Sequence, residues 1–467
     1  MEERRVSGVV ELSEGKIMDT MGSGSVLTRL RQIAELAKTL PEAVLTTLAH
    51  HIDVLFLAEA YRRTRKDGAV GVDGQTAADY AAGLEANLGD LLERFKSGKY
   101  YAPPVRRVYI PKGDGKTRPI GIPTFEDKVL QRAVAMILEA VYEQEFHEFS
   151  FGFRPGRSAH LALEYLWQGL MHMRGGYVVE VDIKSFYDTI DHGLLRAVLD
   201  QRVRDGVLRR MIDKWLKAGV LEAGEVTHPE EGTPQGGVIS PLLANIFLHV
   251  VFDEWYMQEV KPRLHGKSFA VRYADDIVIV CDSEADAHRV LEVLYQRMAK
   301  YGLTLHPEKT RLIDFRPPDQ HRGGDRPGTY DFLGFTHYWG RSRKGNWAVQ
   351  RKTAASRLGR TLKMINAWCR RNRHRPVSEQ HQRLTVALRG HDAYYGITGN
   401  SEGLKRLRWQ VERIWRKWLH RRSRKARMVW AKFKALLRRF PLPPARVVHS
   451  SFHGRQLQLR GLRGAAT

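Results

Sequence analysis

The sequence predicts an α+β fold, and three observations carry that reading. Tyr177–Val181 and Phe269–Val280 are runs of β-branched residues that end in or enclose acids. Pro103–Ile122 alternates around Val105, Val108 and Ile110 across a Gly113-Asp-Gly115 turn, as a hairpin does. The long stretches around these strands repeat apolar residues at three- and four-residue spacing, the period of a helix.

In chain order, a helix is expected over Val26–Leu40 and another over Leu48–Arg65, followed by a turn-rich break at Asp67-Gly-Ala-Val-Gly-Val-Asp-Gly74. Leu84–Lys96 is amphipathic. Beyond the hairpin, Thr124–Tyr142 and Ser158–Met173 have helical periodicity, and Tyr177-Val-Val-Glu-Val181 is a strand ending in Asp182. Gly232-Thr-Pro-Gln-Gly-Gly-Val-Ile-Ser-Pro-Leu-Leu-Ala-Asn245 is a turn leading into a helix over Leu242–Val251. Phe269–Val280 reads as strand, tight turn, strand, with Asp275 and Asp276 at the tip. A Pro- and Gly-rich loop, Arg316 through Gly328, precedes the apolar Phe332–Phe335. In 403–419, Leu404, Leu407, Val411, Ile414, Trp415 and Trp418 form one face, with Lys405, Arg406, Arg408, Arg413, Arg416 and Lys417 between them. Pro441-Leu-Pro-Pro444 ends the helical stretch.

The chain has 467 residues, 76 Lys+Arg against 52 Asp+Glu, a net charge of +24 and a pI near 10.0. With 43% apolar and 27% charged residues the composition is globular, which excludes collagen-like and disordered classes. Residues 341–467 hold 33 basic and 4 acidic residues, a net of +29, so residues 1–340 carry −5. A polyanionic partner is expected at the C-terminal end. Cys281 and Cys369 cannot build a disulfide framework or a thiolate zinc site, which fits a reducing cytoplasm. No apolar run approaches the ~18 residues of a membrane span, and Met-Glu-Glu-Arg-Arg at the start is unlike a signal peptide.

The carboxylates point to chemistry. Asp275 and Asp276 repel one another unless a cation neutralises them, although a hairpin turn also favours Asp for conformational reasons. Asp182 at a strand end is open to the same two readings. Together, three acids on two strands can hold divalent metals through oxygen while leaving positions for phosphates, the requirement of nucleotidyl transfer. Gly115-Lys116-Thr117 is not a Walker loop, because its first glycine would fall at Ile110.

Tyr273-Ala-Asp-Asp276, Val181-Asp-Ile-Lys-Ser-Phe-Tyr187 and Gly232 through Pro241 resemble the three palm motifs of reverse transcriptases. Lys66 through Gly74, Ile110 through Pro123, Ser150-Phe-Gly-Phe-Arg-Pro-Gly-Arg-Ser158, Leu303 through Thr310, Phe332-Leu-Gly-Phe335 and Arg389 through Gly396 resemble, in order, the bacterial group II intron reverse transcriptase/maturase family over about residues 30–440. The resemblance implies a right-hand polymerase: an N-terminal extension (1–45), fingers (46–180), a palm with an antiparallel sheet (181–342), a helical thumb or maturase X domain (343–424) and a short basic DNA-binding tail (425–467). It implies that Asp182, Asp275, Asp276 and the Ile183 carbonyl bind two catalytic Mg²⁺ ions. Lys112, Arg118, Tyr187, Gln235 and Lys309 would bind the dNTP, with Tyr187 excluding a ribose 2′ hydroxyl and Lys309 protonating pyrophosphate. Arg406, Arg413 and Lys417 would contact RNA. The implied function is RNA-directed DNA synthesis with binding and splicing assistance of a group II intron RNA during retrohoming into target DNA. Larger family members add a His- and Cys-rich endonuclease domain, which is not expected here, so the primer would come from elsewhere. The alternatives are a domesticated reverse transcriptase without an intron and an RNA-binding splicing factor with a vestigial polymerase.

Overall fold

The computed structural model describes residues 10–111, 117–222, 225–227, 232, 236–320, 327–342, 344–423 and 427–449. The α+β expectation holds. Helix α1 (Val10–Thr39) is longer than the sequence pattern suggests. The single helix expected over Leu48–Arg65 is broken: Ala49–His51 makes one 3₁₀ turn, and α2 (Val54–Arg63) restarts where the Asp53 carboxylate accepts the Phe56 N–H at 2.8 Å. An Asx cap thus competes successfully with continuous helix. Next come α3 (Ala77–Ala81), opened by a Thr76/Asp79 capping box, and α4 (Leu84–Ser97), stopped by Gly98 at φ +77°. Strands β1 (Val105–Pro111) and β2 (Thr117–Ile122) pair antiparallel, from Arg106↔Ile122 to Pro111↔Thr117. The Gly113–Gly115 turn lies outside the described residues. The turn-rich segment before them packs against the end of β2: a Cβ on Gly71 would come within 2.5 Å of Thr124 Cα.

Helix α5 (Phe125–Tyr142) is buried on most sides, and α6 (Ala159–Met173) is capped by Ser158. Strand β3 (Tyr177–Asp182) leads through α7 (His192–Asp200) and α8 (Gly206–Lys217) to β4 (Val220–Glu222) and β5 (Glu225–Thr227). These last two extend the hairpin into a sheet of order β2-β1-β4-β5. Helix α9 (Ser240–Leu248) continues as π-helix over His249–Glu254 and Tyr256–Val260. Then follow β6 (Ser268–Tyr273), β7 (Asp276–Cys281), α10 (Glu284–Lys300) and β8 (Arg311–Asp314).

The central sheet has the order β6-β7-β3-β8, antiparallel throughout. One of its faces (Val179, Val181, Ile277, Ile279) joins the main core with α5, α9 and α10. The other (Val178, Val278, Val280) packs with the α6 leucines and Phe269. Burial on both faces explains why these strands are continuous β-branched runs rather than alternating ones.

Strands β9 (Tyr330–Phe332), β10 (Phe335–Arg341) and β11 (Trp347–Thr353) form a second antiparallel sheet against α6. Helices α11 (Ala355–Arg371), α12 (Val377–Tyr395), α13 (Ser401–His420) and α14 (Trp430–Arg439) share a separate core around Trp415. The divisions drawn from sequence at 180/181 and 342/343 fall inside β3 and inside the β10–β11 hairpin, whose strands pair from Phe335↔Thr353 to Arg341↔Trp347. Backbone pairing runs through the first point, the second falls after the last residue of β10, and the helices start at Ala355. Cys281 and Cys369 are unpaired and buried. Among the described residues no helix is long and apolar enough to cross a membrane.

Candidate active site

Strand pairing brings the three acids together. Asp182 closes β3 and stands in register opposite Asp276, the first residue of β7. Asp276 in turn faces Tyr273 across the two-residue turn Ala274–Asp275. The tip is therefore Ala274 and Asp275, with Asp276 already in the strand. Beyond Asp182, its carbonyl accepts the His306 N–H and the Lys184 N–H donates to Thr304, both at 2.8 Å. Ile183 between them faces Leu305 as an isolated bridge. Alternation of the backbone turns the Ile183 carbonyl to the opposite, β7-facing edge of the strand.

The turn is held from behind by a buried polar network. Ala274 takes φ +55°, unusual for a residue other than glycine. Arg272 is fully buried and grips Asp253 through Nε (2.7 Å) and Nη2, while Nη1 donates to Asn245 Oδ1 (2.8 Å) and the Ala274 carbonyl (3.3 Å). Asn245 Nδ2 donates to the Gly152 carbonyl at 2.6 Å. Gly152 lies so close beneath the turn that a Cβ there would stand 2.3 Å from Ala274 N. None of these residues was singled out from sequence, because Arg272 and Asp253 are 19 positions apart and only the fold joins them.

Two cavities flank the carboxylates, and Asp276 lines both. The first, about 380 Å³, also has Asp182, Lys309, Arg311, Asp331 and Arg357 in its walls. The second, about 320 Å³, is lined by Arg118, Phe153, Tyr187, Gly236, Tyr273 and Asp275. Lys309 Nζ reaches Asp182 Oδ2 at 2.8 Å. Gly236 packs against β2, where a Cβ would stand 2.4 Å from the Gly121 carbonyl. Gly232 likewise sits under the Tyr187 and Asp188 carbonyls. Gly236 thus meets the hairpin, and Gly232 meets the chain after β3. Phe153, overlooked in the sequence, is 56% exposed at φ +56° and faces the second cavity near Tyr273. Lys112 and Gln235 lie outside the described residues.

Although the Asp276 side chain opens to the cleft, the protein crowding it raises its carboxyl to about 7, helped by Asp275 and then Asp182. Asp275 is also raised, first by burial, against the pull of Arg118. Such a cluster favours cation binding.

On α13, Arg406, Arg413 and Lys417 share one exposed face with Trp409, over whose ring Arg413 lies at 4.5 Å. Arg408 does not belong to that face. It is buried and ion-paired with Asp392, and it donates to the Pro443 and Pro444 carbonyls.

Residues 110–337 match the family model described as "Reverse transcriptase (RNA-dependent DNA polymerase)". "Protein YkfC" of Escherichia coli K12 is 38% identical over 258 residues, covering 48% of this chain and 67% of that protein. The chain belongs to the reverse transcriptase family. This reverse transcriptase is also similar to the "Group II intron-encoded protein LtrA" of Lactococcus lactis, 38% identical over 49% of this chain but 38% of LtrA. A third relative is "Nuclear intron maturase 2, mitochondrial" of Arabidopsis thaliana, 33% identical over 41% of this chain and 30% of that protein. Its helices and antiparallel strand pairs fit the right-hand polymerase fold of that family.

A carboxyl raised to about 7 must lose its proton before a divalent cation can replace it. Apparent affinity of the carboxylate cluster for a divalent cation should therefore fall as pH drops below about 7 and level off above it. Calorimetry in buffers of different protonation enthalpy should show proton release at about pH 6 and little at about pH 8. Equal affinity and no release at the lower pH would mean that Asp276 is already ionised there.

Proposed function

We propose that the protein is an RNA-directed DNA polymerase that binds a group II intron RNA, assists its splicing and copies it into DNA during retrohoming. The observation that supports this most is the register Asp182↔Asp276 with Asp275 in the adjoining turn. Two Mg²⁺ ions held by Asp182, Asp275, Asp276 and the Ile183 carbonyl would activate a primer 3′ hydroxyl and stabilise the departing pyrophosphate. The chain's own groups do the rest. Arg118 and Lys112 orient the triphosphate of the incoming dNTP. Tyr187, packed edge-on against Phe186 at 5.4 Å, presents a rigid ring where a ribose 2′ hydroxyl would lie. Gln235 and the small residues after it admit the nucleotide and its template base close to the backbone. Lys309, which pairs with Asp182, would give a proton to pyrophosphate as it leaves.

In this reading residues 46–180 act as fingers and 181–342 as palm, the β10–β11 hairpin linking the palm to a helical thumb or maturase region that ends near 424. The remaining basic segment binds DNA. The net of +29 beyond residue 340 serves intron RNA and target DNA, and the Arg406–Trp409–Arg413–Lys417 face couples phosphate contacts to a ring on which a base can stack.

Asp275→Asn with Asp276→Asn should lower primer extension on an RNA template by about a thousandfold, with the melting temperature unchanged or raised by relief of repulsion. Undiminished synthesis would refute the metal assignment. Neutralising Arg406, Arg413 and Lys417 to Gln should weaken RNA binding and reduce the slope of log K against log salt by about 2. An unchanged slope would remove this face from the interface.

A further inference from the structure

Away from both cavities, two histidines and a glutamate converge on the far side of the buried network. His147 follows α5, whereas His249 and Glu254 sit on the π-helical turn after α9. His147 Nε2 lies 2.6 Å from Glu254 Oε1, and His249 Nε2 lies 3.6 Å from the same oxygen. One nitrogen from each histidine and one glutamate oxygen all fall within 4.8 Å of one another. The π-helix makes this possible. Residues five apart stand about 140° apart on an α-helix, but the wider i→i+5 turn swings His249 and Glu254 onto one side. His249 is 5% exposed, and its Nδ1 makes no hydrogen bond, with the Asp253 carboxylate 3.7 Å away. Phe146 meets the His249 ring edge-on at 5.4 Å, and Phe149 stacks on His147 at 5.3 Å.

We propose that His147, His249 and Glu254 form a binding site for a divalent transition metal of the Zn²⁺ class. Two imidazoles and one carboxylate make a nitrogen-rich set with a fourth position for water, which suits Zn²⁺ and not the all-oxygen preference of Mg²⁺. With Nε2 of His249 on the metal, Nδ1 would carry the proton and face the Asp253 carboxylate 3.7 Å away, close to the carboxylate–histidine–metal arrangement that fixes a ring's tautomer. Asp253 is the partner of Arg272, so the metal would tie the chain after α5 to the π-helix directly behind the residues that hold the Asp275 turn. This inference is independent of the polymerase reading.

The test uses full-length protein without a polyhistidine tag. One Zn²⁺ per chain should survive dialysis and raise the melting temperature. Co²⁺ in its place should give the strong visible absorption of a tetrahedral nitrogen–oxygen site, which carboxylates binding a cation in six-coordinate oxygen geometry do not give. Retention, melting shift and absorption should all disappear in His147→Gln and in Glu254→Gln. Both positions are partly exposed, so metal-free variants should melt with the metal-free parent. Equal metal retention in parent and variants, or no metal held by the parent at one equivalent, would overturn the site.

Discussion

The fully buried ion pair between Arg272 and Asp253 is the contact on which the carboxylate turn depends. A charge in the protein interior is tolerated only when it is paired and its remaining hydrogen-bonding capacity is used, and removing one partner of such a pair costs about 3–5 kcal/mol. Arg272 meets that demand by spending its other donors on Asn245 and the Ala274 carbonyl. Satisfying one buried guanidinium therefore fixes the residue that precedes Asp275. Gly152, held by Asn245, closes the space beneath the turn. A left-handed Ala274 survives because its surroundings leave it no alternative.

The same turn gathers charge of one sign. Asp275 and Asp276 are both raised, by burial first; Asp275 and Asp182 add to it at Asp276, and Asp182 adds to it at Asp275, which is the electrostatic condition that cations relieve. Lys309 supplies part of that compensation at Asp182. The basic excess lies in the sequence beyond residue 340, where only 4 acidic residues face 33 basic ones. Arg357 is one of those bases that does reach the acids, lining the first cavity with Asp182 and Asp276.

The parts legible in the sequence were those set by local pattern. The strand–turn–strand around Asp275, the strand ending at Asp182, the helical periodicity over Thr124–Tyr142 and Ser158–Met173 and the apolar face of 403–419 depend on neighbours in the chain. What escaped depends on partners far away or on one local choice over another. Asp53 interrupts a periodicity that otherwise continues from Leu48 to Arg65. Arg408 looks like its cationic neighbours until Asp392 and two proline carbonyls surround it. The π-helix after α9 leaves no mark in hydrophobic spacing, and without it His249 and Glu254 would not share a face. Phe153 stands inside a recognisable segment, but nothing nearby announces its left-handed backbone.

The claim that buried geometry at Arg272 sets the reactivity of the turn is tested most directly by single-turnover nucleotide addition with Arg272→Lys. Lysine keeps the charge but cannot span Asp253, Asn245 and Ala274 at once. With the variant shown to be folded at the assay temperature, the rate of addition should fall about a hundredfold, as a misplacement of about 1 Å costs, while the KM for dNTP stays within a few-fold of the parent. A folded Arg272→Lys protein that adds nucleotides at the parental rate would contradict the account.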